Sequence, residues 1–203
     1  TEPDYLFAIA QISARSENEQ EAAAADEQFL HIASGTDAER RARIKGLINF
    51  LRFLGNNGRL YNSDGEDQAK VPFDLVGNRP IIKLHVNGKK DTLHFVLDTG
   101  SGISVISETT AKRLKINPIT KGGLARGIGG TGKFEIVYGM LRQIEIGTIS
   151  LRNVPVYIRK FHNDGQDIDG YIGLALISKF LTTIDYGDQT FSLTKKDAET
   201  RQF

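Results

Sequence analysis

The run Phe95-Val96-Leu97-Asp98-Thr99-Gly100-Ser101-Gly102 carries an apolar strand into a turn of small residues with a carboxylate at the junction. A strand releases its polar groups to water at such a turn, so Asp98 stands where it can act on a water or a bound molecule. Gly100 and Gly102 permit close backbone approach and unusual φ. The plainer reading is an Asp that closes a β-turn, as Asp beside Gly often does. The segments on both sides weigh against that reading. Phe95–Leu97 before the turn and the β-branched Ile103-Ser104-Val105-Ile106 after it both read as strands.

Other residues invite other chemistry. Gly127-Ile128-Gly129-Gly130-Thr131-Gly132 fits the G-x-G-x-x-G dinucleotide pattern, and Gly127 through Lys133 fits a phosphate loop with Phe134 in place of the final Ser or Thr. Both motifs need a helix after the glycines, so that its N-terminus meets the phosphate. The residues after these glycines alternate with period two and predict a strand, so the run reads as the tip of a hairpin. The four histidines, His31, His85, His94 and His162, are not spaced as a metal pair. Asp164, Asp167 and Asp169 lack the alternation and distal Glu of a calcium loop and read as a solvated loop. With no cysteine, thiol catalysis, disulfides and iron–sulfur clusters are excluded. No metal or cofactor is expected.

The elements that must position Asp98 emerge from period-two patterning. Val71-Pro72-Phe73 begins a β-rich region. Ile82, Leu84 and Val86 alternate up to the Asn87-Gly88 turn, and Leu93, Phe95 and Leu97 alternate into Asp98. Phe134, Ile136, Tyr138, Met140, Ile144 and Ile146 predict a long ribbon that Gly147 turns into Ile149–Ile158. Asp169-Gly170-Tyr171-Ile172-Gly173-Leu174 leads into a short apolar run to Phe180. The strands Thr182–Tyr186 and Thr190–Leu193, split by Gly187-Asp188, complete the pattern.

Taken together, residues from about 70 to 195 resemble the retropepsin-like aspartic proteases, particularly their bacterial branch. Four elements match in order: the strand pair with Asn87-Gly88, the Leu97-Asp98-Thr99-Gly100 turn, the glycine run 127–132, and Asp169-Gly170-Tyr171-Ile172-Gly173 with the Thr183-Ile184-Asp185-Tyr186 strand. The resemblance implies a mainly β fold, a retropepsin-like closed β-barrel with a flap hairpin at about 125–134, here preceded by an α-helical N-terminal segment. It implies that Asp98, Thr99 and Gly100 are catalytic. Ser101, Gly102, Ile128, Gly129 and Gly130 would contact substrate, and Ile172 and Gly173 would support the site from behind. Such enzymes hold a water between two carboxylates that share a proton. The Asp-Thr-Gly triplet occurs once, so the resemblance implies a homodimer with one Asp98 from each chain and a polypeptide substrate. In that arrangement Thr99 would hydrogen-bond across to the partner turn and Ser101 would donate to the outer carboxylate oxygen. Two features depart from the family pattern: Gly102 stands where a bulkier residue is usual, and the flap is rich in glycine. A different reading keeps the fold but makes it a catalytically weak or inactive peptide-binding or oligomerisation module with a helical adaptor. A third places the main role in the helices. The intact triplet favours the enzyme, because a pure binder has no need of it.

Composition bounds the rest. The 203 residues hold one average domain plus an accessory segment, and 39% hydrophobic content allows a proper core. A net charge of +1 gives no electrostatic case for nucleic acid, and no apolar run is long enough to span a bilayer. The chain opens on Thr1, which reads as a processed or excised end. Absence of cysteine suits cytoplasm and periplasm alike. Related bacterial proteases are often extracytoplasmic, and the resemblance points that way.

Residues 1–57 read as a helical accessory segment, 58–69 as a linker and 70–203 as the protease domain. Asp4 is expected to cap a helix carrying Leu6, Ile9 and Ala10, and Ala22–Ala25 forms a strong helical run. Thr36-Asp37-Ala38-Glu39 reads as a capping box ahead of Ile44, Leu47, Ile48 and Leu51 at helical spacing. Gly55 ends that helix. The basic residues Arg40, Arg41, Arg43 and Lys45 read as a solvated face.

Overall fold

Helical apolar spacing in the first third of the chain becomes three helices: α1 (Pro3–Arg15), α2 (Glu19–Ile32) and α3 (Ala38–Gly55). The structure, a computed structural model, describes residues 3–126, 133–160 and 167–196. Asp4 lies in the first turn of α1, behind Pro3, where a carboxylate favours the positive end of the helix dipole without serving as the cap. The cap of α3 is Asp37, one residue later than the capping-box reading. Its Oδ1 accepts from the Arg40 backbone N–H at 2.8 Å.

The chain divides into two compact units, Thr1–Leu60 with Pro118–Gly139 and Tyr61–Asn117 with Met140–Phe203. In the first, Leu6, Ala22, Ala23, Phe29, Leu30, Ile44, Ile48 and Leu51 form the core among the helices. The alanines of α2 let its neighbours approach closely. Arg40, Arg41 and Arg43 of α3 are half-buried and not a solvated face, whereas Lys45 is exposed. The Arg40 guanidinium lies 5.1 Å from the Phe7 ring centroid and 5.2 Å from that of Phe29. Arg41 donates to the carbonyls of Leu30 and Ala33 at 3.1 and 3.2 Å, satisfying the end of α2. This unit also contains the arms of a hairpin, β6 (Thr120–Arg126) and the first half of β7 (Lys133–Ile146).

Asp26 is the exception in the helical core. It is 2% exposed and its Oδ1 has no hydrogen-bond partner among the described residues. Burial pushes its carboxyl up to about 6 from the usual 3.8. The folded state therefore holds its proton more tightly than the unfolded chain. The cost of burying the charge is absent below the unfolded value, grows as pH rises through the folded one and is complete above it. At about 1.4 kcal/mol per unit, that cost is on the order of 2–3 kcal/mol at pH 7. We expect Asp26→Asn to stabilise the helices at neutral pH and to flatten their stability between pH 4 and 7. Urea unfolding followed by circular dichroism across that range checks this. An unaltered pH dependence in the variant would contradict it.

The strands of the second unit are β1 (Asn62–Gly65), β2 (Gln68–Val76), β3 (Arg79–Val86), β4 (Leu93–Asp98), β5 (Ser104–Ser107), β8 (Ile149–Arg159), β9 (Gly170–Gly173), β10 (Phe180–Asp185) and β11 (Thr190–Lys195). Two short helices, α4 (Glu108–Arg113) and α5 (Leu174–Ile177), follow β5 and β9. The span 62–69, expected to link, contains β1 and the start of β2, and β1 pairs antiparallel with β8. The strand order is β10-β11-β2-β3-β4-β9-β5-β8-β7. A further pairing of β3 with β7, through His85↔Glu145 and Val86↔Ile144, closes β3-β4-β9-β5-β8-β7 into a ring. The fold is thus mainly β with helices at its N-terminal end, as the sequence implies. Ile82, Leu84, Phe95, Ile106, Leu141, Ile144, Ile149, Leu151 and Ile172 fill its core, each fully buried. The Asn87-Gly88 turn has φ of 54° and 64°, and Lys89 N–H closes it on the Val86 carbonyl at 3.0 Å. No described helix is long and apolar enough to cross a membrane.

Candidate active site

Asp98 is the last residue of β4, a strand held on both sides. β3 pairs with it antiparallel through Ile81↔Val96 and Ile82↔Phe95. β9 pairs with it parallel through Phe95↔Gly170, Leu97↔Ile172 and Asp98↔Gly173. Leu93, Phe95, Val96 and Leu97 are all buried, so the strand has little freedom, while the Asp98 side chain is half-buried at its end. The carboxylate is oriented locally. Gly100 N–H donates to Asp98 Oδ1 at 3.0 Å, and Ser101 N–H donates to the Asp98 carbonyl at 3.2 Å.

The loop after Asp98 is tied to the start of α5. Leu174 N–H donates to the Ser101 carbonyl at 2.7 Å and Ala175 N–H to the Gly102 carbonyl at 2.9 Å. The first N–H groups of a helix have no partner within it, and here the turn supplies the acceptors. Ser101 Oγ donates to the Ile103 carbonyl at 2.8 Å, which keeps the loop compact; it does not point its proton at the carboxylate as the resemblance implies. A side chain at Gly102 would meet nothing within 4 Å, so this departure from the family pattern leaves open space beside the turn.

Ile172 and Gly173 lie on β9 beside Leu97 and Asp98. Ile172 is fully buried, and Gly173 N–H donates to Ser104 Oγ at 3.0 Å. Gly173 has to be glycine, because a Cβ there would lie 2.6 Å from the Ile103 carbonyl carbon. Gly170 is constrained in the same way, with a Cβ 2.3 Å from the Phe95 ring and 2.4 Å from the Val105 carbonyl oxygen. The glycines therefore let β9 slide between β4 and β5, and the parallel pairing with β4 fixes the level of Asp98.

Asp169 belongs to this assembly and not to a solvated loop. It is 8% exposed. Its Oδ1 accepts from Thr110 Oγ1 at 2.6 Å and from Arg113 Nη2 at 2.8 Å, and its Oδ2 accepts from the His94 backbone N–H at 2.9 Å. Ser107 caps α4 by accepting from Thr110 N–H at 3.0 Å, and its hydroxyl donates to Thr110 Oγ1 at 2.7 Å. The network clamps the head of β9 to β4 and α4. Reading the sequence by local spacing missed it. The available signal was an acid directly before Gly170 at the start of a buried strand.

The structure thus brings Asp98, Thr99, Gly100, Ser101, Gly102, Ile172 and Gly173 into one assembly. Ile128, Gly129 and Gly130 lie outside the described residues. The glycine run is followed by β7, a strand, where a nucleotide motif requires a helix. Among the described residues no three His, Asp or Glu side chains converge as a metal-binding group.

Residues 82–176 match the family model described as aspartyl protease. That span runs from β3 through Asp98 to α5, and the retropepsin-like resemblance drawn from the sequence stands. No curated protein matches the chain. Among solved structures, a retropepsin-like aspartic protease from Rickettsia conorii is similar at 16% identity, with 68% of this chain and 97% of that chain covered and a TM-score of 0.47. The retroviral protease-like domain of Ddi1 from Leishmania major is similar at 18% identity, with 56% and 86% covered and a TM-score of 0.39.

Proposed function

We propose that this chain, a relative of the aspartyl proteases over residues 82–176, is an aspartic endopeptidase that works as a homodimer. The observation that carries the reading is a single Asp-Thr-Gly at the end of a central strand, with Oδ1 of its Asp held by Gly100 N–H. In the dimer, two Asp98 carboxylates hold one water. One carboxylate takes its proton as the water attacks the scissile carbonyl, and the protonated partner donates to the carbonyl oxygen. Like charges about 3 Å apart cannot both ionise, so the pair carries one proton between them. Gly100 N–H fixes one oxygen of each carboxylate, and Thr99 bridges the two turns. The hairpin β6–β7 takes the part of the flap and pairs with the peptide backbone. The helices serve as an accessory segment and not as a pro-segment, since nothing in them is an extended stretch that could mimic a bound peptide.

The subunit contact in this reading uses β10 and the turn at Thr99. β10 ends the strand order, and Leu181 and Thr183 on it are exposed, as is Leu174 at the start of α5. An uncovered apolar edge strand is a template for pairing with a second copy. Activity per chain should therefore rise with chain concentration and follow the dimer population. Cleavage rate of an unstructured polypeptide, measured over a dilution series beside sedimentation, tests this. A constant rate per chain in a sample that sediments as monomer would overturn the dimer reading.

A further inference from the structure

Helix α3 carries a glycine, Gly46, in its buried interior, a position where glycine is unfavourable unless something must come close. What comes close is the backbone of β6. A Cβ at Gly46 would lie 2.3 Å from the Lys121 carbonyl oxygen and 2.4 Å from Gly122 Cα. The strand is shaped to receive the helix. Pairing of β6 with β7 passes from Lys121↔Val137 to Leu124↔Glu135, so Gly122 and Gly123 together oppose one residue, Ile136, and form a bulge with Gly123 at φ 68°. A Cβ at Gly122 would strike the Tyr138 ring at 2.5 Å. That ring in turn stacks on Phe50 of α3, with centroids 4.4 Å apart and planes at 24°. Arg43 Nη1 donates to the Leu124 carbonyl at 3.1 Å, and Lys133 on the other arm pairs with Glu39.

We infer that Gly46, Arg43 and Phe50 of α3 are positioning residues for substrate: they seat the two arms of the β6–β7 hairpin and set where its strands run. The inference rests on the reading of that hairpin as the flap. A two-stranded ribbon alone is marginal in water. Here one helix, between Glu39 and Phe50, supplies the surface that the ribbon lacks. A peptide pairing with the hairpin would then meet strands already ordered, and loosening them would weaken binding more than the chemical step.

Gly46→Ala tests this in the full chain, because alanine favours the helix itself while forcing the helix and β6 apart. Amide exchange over 118–126 and 133–139 is measured by mass spectrometry, with steady-state cleavage of a peptide alongside. We expect exchange in both arms to quicken by about tenfold and KM to rise several-fold, with kcat held within about twofold. Asn49→Ala, at an exposed position of the same helix, should move neither. Should Gly46→Ala not fold, Arg43→Ala removes the side-chain bond to Leu124 and the positive charge near Glu39, and should give the same pattern, smaller. Unchanged exchange in the arms, with cleavage intact and still lost in Asp98→Asn, would overturn the inference and leave the protease reading standing. Faster exchange with unchanged KM would also overturn it, by showing a seat that does not position substrate.

Discussion

Replacing Asp98 by Asn should abolish peptide cleavage while leaving the fold intact. Asn matches Asp in size and can still accept from Gly100 N–H through its carbonyl oxygen, so the turn and its ties to α5 should survive. What it lacks is a carboxylate that can take a proton from water, and nothing else in the described turn can replace it. The loss should be about three orders of magnitude or more in kcat, the scale seen when a group acting directly on the reacting atoms is removed. Circular dichroism and the unfolding midpoint should match the unaltered chain. Substantial cleavage by a purified variant free of other proteases would end the aspartic protease reading.

The second large effect falls on stability. Asp169→Ala removes the acceptor for Thr110 Oγ1, Arg113 Nη2 and the His94 backbone N–H at once. Arg113 is half exposed and can turn to water, so its share of the loss is small. Thr110 is buried, and the His94 amide lies inside the ladder beside β9, so these two donors are left without a partner. A buried donor stranded in this way costs about 1–3 kcal/mol, and two of them suggest a loss on the order of 3 kcal/mol. For a chain of this size that lowers the unfolding temperature by about 6–12 °C. Cleavage should fall as well, because the strand released by the change is the one that backs Asp98. A midpoint within about 2 °C of the unaltered chain would show that the clamp contributes little.

The sequence made some features legible and concealed others for identifiable reasons. Alternation exposed β3, β4, β7 and β8 because each turns one face to a core and obeys a period of two. The Asp98 turn was legible because apolar residues, an acid and glycines succeed one another within eight positions. Helical spacing located α3 from Ile44 to Leu51. Asp169 was not legible, because its partners Arg113, Thr110 and His94 lie 56, 59 and 75 residues away in the chain. Local spacing sees only an acid among other acids and glycines. Arg40, Arg41 and Arg43 misled for the same reason, since ring faces and distant carbonyls, not neighbours, receive them. The cap of α3 was off by one because Thr36 and Asp37 are both good caps, and only the backbone decides which side chain reaches the Arg40 amide. The Gly122-Gly123 bulge carries no local signal of its role, which is visible only with Gly46 against it.

The central claim is that one chain supplies half of a catalytic pair. The most direct measurement mixes the unaltered chain with Asp98→Asn, allows subunits to exchange, and tracks cleavage at constant total concentration. If both Asp98 carboxylates are needed, mixed dimers are inactive and activity varies as the square of the unaltered fraction, falling to about one quarter in an equal mixture. Activity that falls only in proportion to that fraction, to about one half, would show that each chain works alone and would contradict the shared catalytic pair.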